Sequence, residues 1–260
     1  MERPLVIGGG VGPMAGVALH ARIIEHTVTD GTDQSHLDIF HFSCSSRIPD
    51  RTAFLLGKEG VNPAFGMAEV FQGAWEALKS VGYASREAVG GIPCNTFHAP
   101  QIFRLFQEEL KKRSIPIRVL HMLEETVRHI QERVPHVNRI GVLSTTGTRK
   151  TALYRTLLEE GGYRVVEVPE EKQEMVQEAI YHPSWGIKAR SPVTEQARNQ
   201  ALEALRILLD SGAEAVVLGC TELPLAIPER EWEGVPLVDP MVALARAMIR
   251  EVAPSKLAPY

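Results

Sequence analysis

The stretch Gly91-Ile92-Pro93-Cys94-Asn95-Thr96-Phe97-His98, with its later echo Leu218-Gly219-Cys220-Thr221-Glu222-Leu223-Pro224, governs how the rest of the chain is read. In each, a cysteine follows an apolar run typical of a buried strand, then come Thr or Asn-Thr, and a helix is predicted to open. Matched settings for two thiols predict one reaction centre built from two halves.

Upstream of Cys94 the chain alternates strand and helix. Leu5-Val6-Ile7 reads as a strand, broken by Gly8-Gly9-Gly10-Val11-Gly12-Pro13, and a helix is predicted over 14–28 from the spacing of Val17, Ile24 and Val28. A second strand over 37–42 runs into a polar loop, 43–62, that holds Arg47, Asp50, Arg51 and Lys58. Residues 63–81 carry Met67, Val70, Phe71, Ala74, Trp75 and Leu78 at helical spacing, and 88–92 form the strand that delivers Cys94. A helix through Ile102, Leu105, Phe106 and Leu110, a strand over 115–120 and a bridging helix over 123–134 follow.

The order then repeats. A strand at 139–143, the turn Ser144-Thr145-Thr146-Gly147-Thr148, a helix through Leu153, Leu157 and Leu158, and a strand at 163–168 lead to a polar loop, 181–192, that contains Lys188. A stripe of Ala201, Leu202, Leu205, Leu208 and Leu209 precedes the strand 215–218 that ends at Cys220, and a helix over 242–252 closes the chain. The predicted fold is α/β, with two pseudo-symmetric domains, each a parallel sheet flanked by helices. The boundaries are 1–118 with 240–260 for the first domain and 119–239 for the second. Ligands of parallel sheets collect at the carboxyl ends of strands, so the active site is expected in the cleft between domains, with the cysteines opposed across it.

Composition narrows the function. The 260 residues are 44% hydrophobic with mixed charges and a formal net charge of -4, which argues against nucleic acid and leaves small acidic ligands open. Three cysteines are no disulfide framework, and no leader or membrane span is predicted, so reduced thiols and a cytoplasmic location are expected.

Gly10-Val11-Gly12-Pro13-Met14-Ala15 fits a dinucleotide fingerprint by spacing, but the second strand ends in Phe42-Ser43-Cys44 rather than an acidic residue that would hold a ribose. The remaining role is a glycine turn able to approach a small ligand closely. A helix N-terminus beside Cys94 and Cys220 would stabilise a thiolate and offer N–H groups to a carboxylate. Asn95, Thr96 and Thr221 could donate hydrogen bonds there, or serve as plain helix caps. Arg51 and Lys188, each in the loop after a second strand, would form a cationic pocket for a second carboxylate. His98 and Glu222 are candidates for proton traffic. Cys94 and His98 lack the further ligand pairs of a structural zinc site, so no metal is expected.

On the motifs Gly-Gly-Val-Gly-Pro-Met at 9–14, Ile48-Pro49-Asp50-Arg51-Thr52, Pro93-Cys94-Asn95-Thr96, Thr145-Thr146-Gly147-Thr148, Gly186-Ile187-Lys188 and Gly219-Cys220-Thr221-Glu222, the chain resembles the aspartate/glutamate racemase superfamily, closest to its aspartate racemase branch. The resemblance implies a cofactor-independent amino-acid racemase, free of metal and pyridoxal, that is usually a homodimer. It makes Cys94 and Cys220 the paired acid and base. It gives Asn95, Thr96, Thr146, Thr148 and Thr221 to the substrate's α-carboxylate or amino group, and Arg51 with Lys188 to a side-chain carboxylate. Related activities in the superfamily are racemisation of neutral amino acids or hydantoins, maleate isomerisation and malonate decarboxylation; a non-catalytic binding protein is a further alternative. The chain departs from the pattern at Val11, where Met is common, and at Phe97, where Ala is usual.

Overall fold

The computed structural model describes residues 2–260, which divide into two units: residues 2–125 with Met241–Tyr260, and Thr126–Pro240. The first unit contains β1 (Leu5–Gly9), α1 (Pro13–Glu25), β2 (Ile39–Ser43), α2 (Arg51–Leu55), α3 (Pro63–Ser80), β3 (Ala88–Gly91), α4 (Pro100–Lys112) and β4 (Ile117–Val119), with α5 (Met122–Arg133) crossing its boundary. Its four strands are all parallel, in the order β2-β1-β3-β4.

The second unit contains β5 (Arg139–Ser144), α6 (Thr146–Lys150), α7 (Leu153–Glu160), β6 (Arg164–Val166), α8 (Gln173–Tyr181), α9 (Glu195–Asp210), β7 (Ala215–Gly219), α10 (Leu223–Ala226), β8 (Glu231–Trp232) and β9 (Val235–Val238). The last helix, α11 (Pro240–Val252), returns the chain to the first unit. The second sheet runs β6-β5-β7-β9-β8, parallel except for the β8 edge. Leaving β8 aside, each sheet therefore has its second strand outermost, its first beside it, and its third next to that. This is α/β architecture with parallel sheets flanked by helices.

Fully buried strands explain the apolar runs: β1, β3 and β7 have no exposed residue. Phe71 of α3 lies across two of these strands at glycines. A Cβ at Gly8 would stand 2.5 Å from Phe71 Cε2, and one at Gly90 would stand 2.9 Å from its Cε1. From Phe71 an edge-to-face series passes to Phe106 at 5.2 Å and from there to Phe97 at 5.4 Å, so aromatic packing reaches the segment after Cys94. In the second unit Leu202, Leu205 and Leu208 of α9 pack with Val216 and Leu218 of β7.

Several local expectations are corrected. Helix α1 forms, but Val17 and Ile24 lie on its exposed face; Ala15, Gly16, Leu19 and Ile23 are its buried residues. Trp75 of α3 is only half-buried. The loop 43–62 is interrupted by α2, which Asp50 caps by accepting a hydrogen bond from the Ala53 N–H at 2.7 Å. The short β8–β9 hairpin was not anticipated, because strands of two and four residues leave no periodicity to read. Among the described residues no helix is long and apolar enough to cross a membrane.

Candidate active site

In the first unit, Cys94 follows β3 and is 6% exposed. Its N–H donates to the Ile92 carbonyl at 2.8 Å, and its own carbonyl accepts from Phe97 N–H at 3.2 Å. These bonds wind Asn95–His98 into a 3-10 turn, whereas α4 begins only at Pro100. Cys94 thus caps a short turn, and the expected α-helix N-terminus beside it is not there. Asn95 and Thr96, 2% and 7% exposed, are buried in the same turn.

His98 is buried, and burial, with His121 beside it, drives its pKa from 6.5 down to about 3. The neutral ring donates from Nδ1 to the Cys94 carbonyl at 2.9 Å. Its role is to hold the turn. Below pH 6.5 the unfolded chain binds a proton that folded His98 refuses, so stability falls as pH drops toward 3, by about 1.4 kcal/mol per pH unit. Chemical denaturation at a series of acid pH values should show this slope, and His98→Gln should flatten it.

Phe97 is fully buried against Phe106 and His98, so it fills the core of its unit. The first glycine turn is also explained internally. Gly10 has φ +88, and a Cβ there would meet the backbone nitrogens of Ser45 and Cys44 at 2.7 and 2.8 Å. Close approach to the neighbouring strand end is by itself enough to demand glycine at this position. Arg51 opens α2, is 7% exposed, and donates from Nη1 to the Pro49 carbonyl at 3.2 Å.

In the second unit, Cys220 follows β7 directly and is 6% exposed. Its Sγ–H donates to Glu222 Oε2 at 3.1 Å, and the Thr221 hydroxyl donates to the same oxygen at 3.2 Å. The other oxygen, Oε1, accepts from Lys188 Nζ at 2.5 Å. Lys188 follows α8 and is held by backbone bonds: its N–H donates to Ile180 at 3.0 Å and Ile187 N–H donates to Ala179 at 2.9 Å. Its ammonium also lies 5.2 Å from the Tyr181 ring centroid. Arg51 and Lys188 are therefore not local equivalents, since one begins a helix and the other follows one.

Electrostatics here run against the expectation of a helix-stabilised thiolate. Burial first, and the Glu222 charge second, push the Cys220 thiol well above 9.0, with Lys188 pulling the other way. Burial alone would raise Glu222, but the Lys188 charge and hydrogen bonds outweigh it and hold the carboxyl below 4.5. For Lys188, burial pulls down while Glu222 leads the effects that raise it above 10.5.

At the end of β5, Thr145 caps α6 by accepting from Thr148 N–H at 3.3 Å, and its hydroxyl donates to Thr148 Oγ1 at 3.1 Å. Thr146 N–H donates to Gln177 Oε1 at 2.9 Å. Thr145, Thr148, Cys220 and Thr221 thus sit at the carboxyl ends of adjacent strands β5 and β7. Tyr154, 2% exposed, packs beneath: a Cβ at Gly219 would stand 3.1 Å from its ring. Tyr154 went unnoticed within a leucine-rich helix, and only the Gly before Cys220 hinted that a large side chain presses on this strand end. Among the described residues no group of three or more His, Cys, Asp or Glu is placed to hold a metal ion.

Residues 9–248 match the Asp/Glu/Hydantoin racemase family. Among solved structures, the aspartate racemase of Picrophilus torridus is similar at TM-score 0.74 and 23% identity, covering 96% of this chain and 94% of that one. Glutamate racemase from Francisella tularensis subsp. tularensis SCHU S4, in complex with D-glutamate, is similar at TM-score 0.60 and 20% identity, covering 99% and 83%. At these identities the likeness is one of fold. An uncharacterized protein in the pnlA 3' region of Pectobacterium carotovorum subsp. carotovorum is 30% identical over 101 residues, which is 38% of this chain and 63%, less than two thirds, of that relative. With the family match running over nearly its whole length, the chain belongs to the Asp/Glu/hydantoin racemase family.

Proposed function

We propose that the protein is a cofactor-independent racemase of acidic amino acids, aspartate or glutamate, working by proton transfer between Cys94 and Cys220. The observation that carries this reading is the repeated placement of the two thiols. Each is buried and unpaired with another cysteine, and each stands at the carboxyl end of the third strand in a sheet with the same strand order. The named racemases of the same fold add to it.

The chemistry needs one thiol on each face of the substrate α-carbon. One, as thiolate, removes the α-proton; the other, as thiol, returns a proton from the opposite side, and the roles exchange for the other enantiomer. Hydrogen bonds from Asn95, Thr96, Thr146, Thr148 and Thr221 to the α-carboxylate or amino group stabilise the charge that develops. Arg51 and Lys188 receive the side-chain carboxylate. The reading extends to a cytoplasmic homodimer serving D-amino-acid metabolism.

Incubation with single enantiomers of aspartate, glutamate and several neutral amino acids in heavy water tests it. Aspartate or glutamate should exchange the α-proton for deuterium and lose optical rotation. Exchange confined to neutral amino acids would overturn the substrate class, and no exchange at all would overturn the racemase.

A further inference from the structure

The Gly186-Ile187-Lys188 segment owes its course to α8. That helix ends at Tyr181, and three carbonyls of its last turn are taken up by the chain that follows: Glu178 accepts from His182 N–H at 2.9 Å, Ala179 from Ile187 N–H at 2.9 Å, and Ile180 from Lys188 N–H at 3.0 Å. Between the first and the last of these bonds the chain makes a tight loop and returns to the same helix end. The His182 and Trp185 rings stack within the loop with centroids 4.3 Å apart, Thr194 Oγ1 donates to the Trp185 carbonyl at 2.7 Å, and Gly186 N–H donates to the His182 carbonyl at 2.9 Å. The loop closes on itself at Gly186. A Cβ there would stand 2.5 Å from the His182 nitrogen, 2.7 Å from its carbonyl oxygen and 3.0 Å from the Ile180 oxygen, all backbone atoms that no rotamer change can move.

Lys188 therefore leaves the main chain from a place that the main chain itself fixes. Its ammonium lies 2.5 Å from Glu222 Oε1 and 5.2 Å from the Tyr181 ring centroid, and its side chain remains 22% exposed. An ammonium carries three N–H donors, so Lys188 can hold Glu222 and still offer hydrogen bonds to a ligand carboxylate.

We propose that Gly186 is a positioning residue for recognition of the substrate's second carboxylate, because a residue without a Cβ lets the chain close back on α8 and set Lys188 beside Glu222. The proposal rests on the reading above, which gives Lys188 to that carboxylate, and adds that selectivity is built into the backbone two residues before the cation. An alanine at 186 must push the returning segment away from His182, and the bonds to Ala179 and Ile180 are the next to part. Lys188 then keeps its charge and loses its fixed origin. What disappears is the preset orientation that a charge-assisted hydrogen bond to a carboxylate needs. The hydroxyl and amide groups given to the α-carboxylate lie outside this loop and stay in place.

The test titrates the full chain, wild type and Gly186→Ala, by NMR with succinate and with butyrate, which has as many carbons and one carboxylate fewer. The wild type should bind succinate more tightly than butyrate. Gly186→Ala should lower succinate affinity by about tenfold or more and leave butyrate nearly unchanged, so that the preference collapses. A protein that is merely loosened or partly unfolded loses both affinities together and keeps their ratio. An unchanged succinate-to-butyrate ratio in the folded variant would overturn the proposal and leave the racemase reading standing, whereas no preference in the wild type takes the second carboxylate from Lys188 and the proposal with it. Hydrogen exchange on the wild type needs no substitution, so the proposal stays testable if Gly186→Ala fails to fold. The Ile187 and Lys188 amides should be protected without ligand, and exchange as fast as that of exposed loop amides would overturn the preset loop. If amino acids exchange no α-proton while the succinate preference is present and is lost in Gly186→Ala, the racemase reading alone is removed.

Discussion

Replacing either thiol, Cys94→Ala or Cys220→Ala, is expected to reduce racemisation of aspartate or glutamate by about 10²–10⁴-fold, because each removes one of the two groups that handle the α-proton. The two variants should differ in what survives. With one thiolate retained, a variant can still exchange the α-proton of one enantiomer with solvent without inverting it, so exchange in heavy water should become enantiomer-selective while optical rotation persists. Following both signals on both enantiomers checks this. Full racemisation by either variant would exclude a two-thiol mechanism. Retained turnover of a malonate by one of them would point to the one-thiol decarboxylation known elsewhere in the superfamily. Stability should change little in either case, since cysteine and alanine differ by one sulfur atom at a strand end.

The second large effect concerns stability. Lys188→Met should destabilise the protein by about 3–5 kcal/mol, because it leaves the buried Glu222 carboxylate without its cation. The effect has a definite pH signature. In the wild type, Glu222 has a depressed pKa, so its contribution is present above about 4.5 and is lost as pH falls through the folded value. Lys188 has a raised pKa, so its contribution is present below about 10.5 and is lost as pH rises through the folded value. The pair therefore supports the fold across the neutral range. In Lys188→Met the sign for Glu222 reverses: burial raises its pKa above the unfolded value, the folded state takes up a proton, and stability falls as pH rises from acid toward neutral. Denaturant unfolding at about pH 4.5 and pH 7 distinguishes the two behaviours. Adding Glu222→Gln to Lys188→Met should recover most of the loss. If Lys188→Met unfolds at the wild-type denaturant concentration at both pH values, the pair is stabilising nothing.

Much of the fold was legible because its signals are local. Buried parallel strands leave apolar runs, as in Ala88–Gly91 and Ala215–Gly219, and those runs place Cys94 and Cys220 after strand ends. Two helix caps were not singled out in the sequence: Asn62 accepts from Ala64 N–H at 2.9 Å at the start of α3, and Thr194 accepts from Ala197 N–H at 3.2 Å at the start of α9. The α2 turn was missed because five residues fixed by one Asp50 cap show no periodicity. The buried face of α1 was misread because apolar residues occupy both of its faces, and only packing on the sheet selects Leu19 and Ile23 over Val17 and Ile24.

The site divides along the same line. The sequence alone determined that two thiols stand in equivalent positions, that hydroxyl and amide side chains adjoin them, and that Arg51 and Lys188 are the cations to consider, since strand ends and short motifs are encoded by neighbouring residues. Only the tertiary structure decided what those groups touch. Lys188 and Glu222 are 34 residues apart, yet form one ion pair; Phe97 points into an aromatic core; and Gly10 is glycine because of the backbone at Cys44 and Ser45. It also decided the sign of the electrostatics at Cys220, where burial and a carboxylate favour the thiol over the thiolate that a helix terminus would have favoured. Desolvation and pairing depend on the atoms a group meets after folding, and no spacing of residues along the chain carries that information.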